Sequence, residues 1–129
     1  MPLHSAVITR GFIALLSVAL LSACDNAAQW AYQNGLEFEI SRAGLQEETI
    51  TTDDGIQWHL LVSESSTSAP PVLLIHGFGA DASNWVRFAG NLEEEFYFVV
   101  PDLPGHGDST RDLGLDYTMK AQAKRLLTL

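Results

Sequence analysis

The sequence predicts an α/β fold, and three features of residues 70–109 predict it. Two short apolar runs without charge, Val72 to Ile75 and Phe96 to Val100, suit parallel strands covered on both faces. Each run ends in glycine-rich turn chemistry. Between them an apolar stripe at i, i+3, i+4 and i+7 indicates a helix, so the segment is a βαβ unit. The stripe consists of Trp85, Phe88, Ala89 and Leu92.

A β-hairpin is predicted before this unit. Residues 49–51 have strand-forming side chains, and Asp54-Gly55 is a two-residue turn signal. The alternation of apolar and polar residues from 56 to 63 places Trp58 on the buried face and His59 on the opposite, solvated face. No second metal ligand stands near His59 in the sequence, so we expect no metal there.

Two helix starts can be predicted from capping residues. Asp81 or Ser83 can cap the helix of the βαβ unit, and Thr118 can cap a later helix. In the later helix one face is apolar and the opposite face is basic. The apolar face holds Met119, Ala123, Leu126 and Leu127, and the basic face holds Lys120, Lys124 and Arg125.

Residues 1–23 are typical of an export signal. Arg10 precedes an apolar run from Gly11 to Leu21, which is too short to cross about 30 Å of hydrocarbon. The following Leu21-Ser22-Ala23-Cys24 resembles a bacterial lipobox, in which the cysteine becomes the lipidated first residue of the mature protein. An ordinary cleaved signal peptide with a chance cysteine, or an uncleaved anchor, is the alternative.

The lipobox resemblance implies an exported lipoprotein that is anchored to a membrane through Cys24 on its periplasmic side. Asp25 resembles an inner-membrane retention signal, although it can equally be a polar residue that begins a linker. Residues 24–43 are then the lipidated cysteine and a tether, in which residues 27–33 can form a short helix that Gly35 ends. Trp30 and Tyr32 either face lipid or pack on the domain.

The composition of the chain limits the classes of partner that it can bind. Its 129 residues are enough for one small domain, and its formal charge is -9; without residues 1–23, which hold one Arg and no acid, the charge is 6 minus 16, or -10. So acidic a chain lacks the clustered Lys and Arg that bind nucleic acid. The single cysteine excludes an internal disulfide.

Two loop motifs carry a family resemblance. His76-Gly77-Phe78-Gly79 and residues 102–109, Asp-Leu-Pro-Gly-His-Gly-Asp-Ser, together resemble the loops after the third and fourth strands of the α/β-hydrolase family. Residues 83–85, Ser-Asn-Trp, extend the likeness to membrane-associated bacterial lipases and monoacylglycerol lipases. The resemblance covers residues 44–129 and implies the amino-terminal part of the hydrolase sheet: the hairpin, the βαβ unit and a helix.

The resemblance implies a serine ester hydrolase that acts on acylglycerols or other apolar esters without a cofactor or metal. In this family the nucleophile lies in Gly-X-Ser-X-Gly, and the acid and histidine follow it. No serine here has that context; Ser83 and Ser109 come nearest, in the wrong loops. We therefore expect the triad after Leu129 and no activity from this chain alone.

What the resemblance leaves in this chain is half of an oxyanion hole. Its donor is the backbone N–H of Phe78, and Gly77 and Gly79 shape the turn. His76 comes before the nucleophile's place and is expected to be structural, hydrogen-bonded to loop backbone. The loop that lines the pocket comprises His76, Asp102, Gly105, His106, Gly107 and Ser109. Asp102 and Asp108 could instead form a glycosidase pair, but loop hydrogen bonds suit them better.

Two other functions stay open at this point. The same fold supports epoxide hydrolases, carbon–carbon bond hydrolases and perhydrolases, and the residue at the missing nucleophile position decides among them. A non-enzymatic lipoprotein module that ends at Leu129 is the second alternative. It would leave the fourth strand as an open edge.

Overall fold

A computed structural model describes residues 26–64, 70–92 and 94–129, so the predictions for residues 1–25, including Cys24 and Asp25, lie outside the described part. The described residues divide between two units, with the boundary between residues 37 and 38. Helix α1 is described over residues 26–42. The further elements are β1 (Leu45–Thr51), β2 (Gln57–Ser63), β3 (Pro71–Leu73), a 3-10 helix (Ala82–Trp85), α2 (Val86–Gly90), β4 (Tyr97–Pro101) and α3 (Met119–Leu126).

The described strands form one mixed sheet in the order β1-β2-β4-β3. β1 and β2 pair antiparallel, as do β2 and β4, whereas β3 and β4 pair parallel. The predicted hairpin and βαβ unit are therefore confirmed. The objection to the lipoprotein-module alternative, that it would leave the fourth strand as an edge, does not hold for the described sheet, because β4 pairs with β2 through residues 60–62 and β3 lies at the edge.

The hairpin connection is longer than the two residues predicted. Residues 52–56 separate the strands, and the Thr52 N–H donates to Ile56 O at 2.9 Å. The Asp54 carboxylate accepts hydrogen bonds from the Thr52 hydroxyl at 2.6 Å and the Ile56 N–H at 3.3 Å. This side chain therefore holds a five-residue loop, with Gly55 at a φ of 80°.

The two parallel strands differ in burial. Phe98 and Val100 of β4 are buried, as predicted, and one face of β2 contributes Trp58, Leu60 and Val62 to the core. Beside β3, Leu73 is 46% exposed and Ile75 is 43% exposed. The prediction that both apolar runs are covered on both faces is wrong for the run of β3: alternate residues point to opposite faces, and the face with Leu74 is buried whereas the face with Leu73 and Ile75 is not covered by the described residues.

The helix of the βαβ unit begins where predicted, and its buried face overlaps the predicted stripe only in part. The Asp81 carboxylate accepts from the Ser83 N–H at 2.9 Å and caps a 3-10 turn, which leads into α2. Ala89 of the predicted stripe is buried together with Ala82 and Val86, whereas Phe88 of the stripe is exposed. The predicted stripe assumes 3.6 residues per turn throughout, and a 3-10 start has 3.0, so the buried face is rotated.

Helix α3 has the predicted cap and an unexpected buried residue. The Thr118 hydroxyl accepts from the Ala121 N–H at 3.3 Å. Met119 and Leu127, on the predicted apolar face, are almost fully exposed, and that prediction is wrong for the described chain. Gln122 is buried instead, because its amide donates to Pro104 O at 2.7 Å.

Helix α1 does not stop at Gly35, as the sequence suggested, but runs to residue 42. A glycine inside a helix costs only about 1 kcal/mol relative to alanine, and burial of Ile40 and Ala43 in the second unit opposes that cost. Glu39 also forms an exposed two-point ion pair with Arg87. Across the described residues, no helix combines the length and hydropathy that crossing a membrane requires.

Candidate active site

Two loops meet at the carboxyl ends of β3 and β4. We call residues 76–79 the HGFG turn and residues 102–109 the β4 loop. Nε2 of His76 lies 3.0 Å from the Leu103 nitrogen, and the His76 and His106 rings lie 5.0 Å apart. The Phe78 ring stands edge-on to His106 at 6.3 Å. The two motifs therefore share one rim, which is where ligands bind in open α/β sheets.

His76 has its hydrogen-bonding role fixed by its surroundings. The Leu103 N–H can only donate, so Nε2 of His76 accepts, and Nδ1 carries the proton that it donates to Gly77 O at 2.9 Å. The ring is buried, and both of its nitrogens are engaged by loop backbone. The expected hydrogen bonding to loop backbone is confirmed, and neither nitrogen is free to act as a general base.

Asp102 is a buried carboxylate that joins three segments. Oδ1 accepts from the Ala82 N–H at 2.6 Å, and Oδ2 accepts from the Asp108 N–H at 2.9 Å. Oδ2 also lies 2.9 Å from Nδ1 of His59. The expected bonds from Asp102 to loop backbone are present. Asp102 is not suited to the glycosidase alternative, because its carboxylate already accepts hydrogen bonds from donors of the protein itself.

The prediction that His59 is a solvated strand residue is wrong. Its side chain is only 15% exposed and pairs with Asp102. The cause is the antiparallel pairing of β2 and β4, which continues past β4 when the Asp102 N–H donates to His59 O at 2.9 Å. Forty-three positions separate the two residues. Strand alternation gives the face on which His59 lies, but not its neighbour across the sheet.

The His59–Asp102 pair shifts both pKa values toward the charged forms. The hydrogen bond to Asp102, reinforced by the charges of Asp102, Glu47 and Asp108, raises the pKa of His59 above its ordinary value despite burial. Burial alone would raise the pKa of Asp102. The hydrogen bonds from His59, Ala82 and Asp108 outweigh burial and lower the pKa of Asp102 below its ordinary value.

His59, Asp102 and Asp108 also offer three ligand atoms within 4.8 Å of one another. Nδ1 of His59 lies at hydrogen-bond distance from Oδ2 of Asp102, and this hydrogen bond occupies both atoms. Oδ2 additionally accepts from the Asp108 N–H. Internal hydrogen bonding therefore accounts for this cluster without an ion.

The two serines that came nearest to a nucleophile have other roles. Oγ of Ser109 donates to Asp102 O at 2.7 Å and accepts from the His59 N–H at 2.9 Å, and the side chain is buried. Oγ of Ser83 donates to the carboxylate of Asp81. Neither hydroxyl is presented to a substrate, in agreement with the prediction that these serines lie in the wrong loops.

Glycine is required in the β4 loop and is less constrained in the HGFG turn. Gly107 has a φ of 47°, and a Cβ there would stand 1.9 Å from Oδ2 of Asp102. Gly79 has a φ of 72°, which favours glycine, but a Cβ would meet no heavy atom within 4 Å. Gly77 has equally open space around it. The role predicted for Gly77 in admitting a substrate oxygen remains a prediction.

Phe78 is the exposed member of the rim. Its side chain is fully exposed, and within the described residues its backbone N–H donates to no protein acceptor. His106, beside it, has a buried Nδ1 that also lacks a partner in that part of the chain. One backbone donor and one apolar ring are therefore presented together at the rim.

A separate cleft of about 440 Å³ lies away from this rim. It contains the exposed Glu39–Arg87 ion pair and none of the residues of the HGFG turn or the β4 loop. Its two arginines and one glutamate do not form an arrangement for acyl transfer. Its lining residues are Glu39, Arg42, Ala43, Val86, Arg87, Gly90 and Asn91.

Comparisons with known proteins identify the family. Residues 70–129 match the model of a family described as the alpha/beta hydrolase fold. The chain is 32% identical to Lipase 3 of Moraxella sp. strain TA144 over 119 residues, which are 90% of this chain and 37% of that lipase. The chain thus spans little more than a third of that relative's length.

Solved structures agree with the sequence match. A membrane phospholipase A described as a bacterial virulence factor is 35% identical, with a TM-score of 0.70 over 90% of this chain and 38% of that one. The Cif epoxide hydrolase from Acinetobacter nosocomialis is 30% identical, with a TM-score of 0.57 over 65% of this chain and 25% of that one.

Proposed function

We propose that this chain, which belongs to the α/β-hydrolase family, forms the oxyanion-binding side of a site that hydrolyses apolar carboxylic esters. One observation carries the proposal: the HGFG turn and the β4 loop meet at one rim, where the Phe78 N–H has no acceptor among the described residues. A preorganised N–H donor stabilises the oxyanion of an acyl-transfer intermediate. This donor is the catalytic group that the chain can supply.

The nucleophile, the general base and its orienting acid lie outside these 129 residues in this proposal. Ser83 and Ser109 are engaged with Asp81 and Asp102, and both ring nitrogens of His76 are used. A second oxyanion donor is the N–H of the residue that follows the nucleophile. The chain by itself is therefore expected to be inactive.

The proposed substrates are acylglycerols, phospholipids or other esters with an apolar acyl group. The exposed ring of Phe78 lies beside the donor N–H and can pack against an acyl chain. Similarity to a lipase and to a membrane phospholipase A supports the same class. A soluble ester with a short acyl chain would gain less from that ring, because the gain grows with the apolar area buried.

Membrane attachment belongs to the proposal through Cys24. A lipidated cysteine brings the enzyme to its substrate, and acyl chains anchor it by about 0.8 kcal/mol per buried CH₂. Labelling with an alkyne analogue of palmitate in a bacterial host is expected for the natural protein and not for Cys24→Ser. Asp25 after it favours the inner membrane, so Asp25→Ser is expected to move the protein toward the outer membrane in sucrose gradients.

The decisive experiment uses the full-length protein that this proposal requires, in which the nucleophile and its general base lie beyond these 129 residues. A fluorophosphonate probe is expected to label it and to leave the 129-residue chain unlabelled. Phe78→Pro removes the proposed N–H donor and is expected to lower kcat by about 10²- to 10³-fold, whereas Phe78→Ala keeps the donor and mainly raises KM for long acyl chains. Equal kcat for the two variants would refute the oxyanion role.

Epoxide hydrolysis is the second candidate, because an epoxide hydrolase is among the similar structures. That chemistry uses a carboxylate nucleophile and an alkyl-enzyme ester in place of an acyl-enzyme. Fluorophosphonate would then fail to label the full-length protein, and single turnover in ¹⁸O water would place the isotope in an enzyme carboxylate on hydrolysis of the intermediate. Such an outcome would replace the ester proposal.

A further inference from the structure

Asp102 is placed to control the geometry of the HGFG turn. The turn is anchored to the β4 loop on both sides: before Phe78 by the His76–Leu103 hydrogen bond, and after it by the bond from the Ala82 N–H to Oδ1 of Asp102. Residues 77–81 lie between these anchors. The direction of the Phe78 N–H therefore depends on where Asp102 holds Ala82.

His59 is the partner that fixes the orientation of Asp102. A carboxylate can rotate about its terminal bond, and the short contact to Oδ1 requires one orientation. Oδ2 is held by Nδ1 of His59 on one side and by the Asp108 N–H on the other, both at 2.9 Å. His59 belongs to β2, the central partner of β4, so its support comes from the sheet rather than from either loop.

We propose that His59 and Asp102 act as a positioning pair that sets the Phe78 N–H against the reacting oxygen. This inference rests on the proposed function and extends it to two residues that touch no substrate. The pair transmits the position of the sheet, through one carboxylate, to Ala82 at the start of the 3-10 helix that follows the HGFG turn. Loss of His59 lets Asp102 turn, releases Ala82 and moves the donor.

The charges around the pair give it a pH dependence. His59 is faced by Asp102 and Asp108 from the β4 loop and by Glu47 from β1, all of them acids that stabilise the imidazolium. Asp102 in turn receives the charge of His59. The support that His59 gives Asp102 is strongest while His59 is cationic, and it weakens as pH rises through its raised pKa.

The test compares His59→Leu, which removes the donor, with His59→Asn, whose side-chain amide can donate to Asp102 without a charge. In the full-length protein His59→Leu is expected to lower kcat for an ester at least about tenfold with KM changed less than about twofold. His59→Asn is expected to restore most of kcat. Thr49→Val, opposite His59 on the exposed side of β1, is the control and should stay within about twofold of wild type.

A pH profile separates positioning from simple stability. The ratio of wild-type to His59→Asn kcat is expected to be highest near pH 6 and to fall toward one as pH rises past the raised pKa of His59. A ratio that is constant with pH, or a His59→Leu variant with wild-type kcat per folded molecule, would overturn the proposal. If His59→Leu does not fold, the His59→Asn profile decides alone.

A readout without activity keeps this inference distinct from the proposed function. Amide hydrogen exchange of Ala82, whose N–H is bonded to Asp102, is expected to accelerate at least about tenfold in His59→Leu, relative to unchanged amides of β2. A wild-type protein that hydrolyses no ester refutes the proposed function, and the exchange result then decides the positioning role. Unchanged exchange at Ala82 refutes the positioning pair even if the enzyme is active.

Discussion

β4 with its loop and β3 with its turn differ although their sequences look alike. Both strands are short apolar runs that end in glycine-rich motifs. β4 lies inside the sheet, and its loop is closed around the Asp102 carboxylate. β3 lies at the edge of the described sheet, and its turn exposes Phe78. One motif is therefore built to be rigid, and the other presents its backbone at the rim.

The largest expected effect is a loss of stability caused by a substitution in the β4 loop. Gly107→Ala would drive a Cβ into the carboxylate of Asp102 at a positive φ. Displacing a buried charged group from its partners costs about 3 to 5 kcal/mol in free energy of unfolding. The matched change in the open turn, Gly77→Ala, meets no atom within 4 Å and is expected to stay within about 0.5 kcal/mol. Urea unfolding of the chain measures both, and equal losses would contradict the comparison.

The strands themselves provide the second test. Val100→Ala in β4 removes two fully buried carbons, and transfer plus cavity terms predict a loss of about 2 to 3 kcal/mol. Val72→Ala in β3 makes the same chemical change at a half-buried position, where about 1 kcal/mol or less is expected. The ratio of the two losses, taken from urea midpoints at a constant m-value, measures how unequal the strands are. A larger loss for Val72→Ala than for Val100→Ala would contradict the comparison of the two strands.

Helix α3 tests whether the β4 loop depends on contacts from later in the chain. Gln122→Ala removes the donor to Pro104 O and leaves a buried carbonyl unsatisfied, with an expected cost of about 1 to 2 kcal/mol. Met119→Ala, on the exposed face of the same helix, is the control and should change stability by less than about 0.5 kcal/mol. Thermal unfolding of the two variants side by side is sufficient. If Gln122→Ala leaves stability unchanged, the β4 loop does not depend on its hydrogen bond from helix α3.

The sequence predicted the connectivity of the fold better than its burial. Periodicity and turn residues gave the hairpin, the βαβ unit and the Thr118 cap because these features depend on neighbours along the chain. They could not place β4 between β2 and β3, nor show that only one face of the β3 run is covered, the face with Leu74 and not the face with Leu73. Burial depends on strand order and on what packs on each face of the sheet, neither of which local patterns contain.

The candidate site shows the same division. The HGFG turn and the β4 loop could be found as motifs, and their meeting at one rim follows from parallel pairing of β3 and β4. His59 was missed because its partner Asp102 is brought to it by antiparallel pairing across 43 positions. The useful signal was its place on the strand that pairs with β4, which requires the sheet order first.

The smallest expected effect is the pH dependence of stability that the charges of His59 and Asp102 produce. The lowered pKa of Asp102 adds stability above about pH 4, which is lost as pH falls through the folded-state value. The raised pKa of His59 adds stability that is complete below about pH 6.5 and is lost as pH rises through the folded-state value. Their contribution is therefore greatest between about pH 4 and 6.5. The effect is smaller than those of the substitutions because the backbone hydrogen bonds of Asp102 persist above the window.

The measurement is the free energy of unfolding by urea as a function of pH, for the natural chain and for His59→Asn. The difference between the two pH profiles gives the contribution of the charge of His59. A difference that stays flat from pH 5 to 8 would show that His59 holds Asp102 by its hydrogen bond alone.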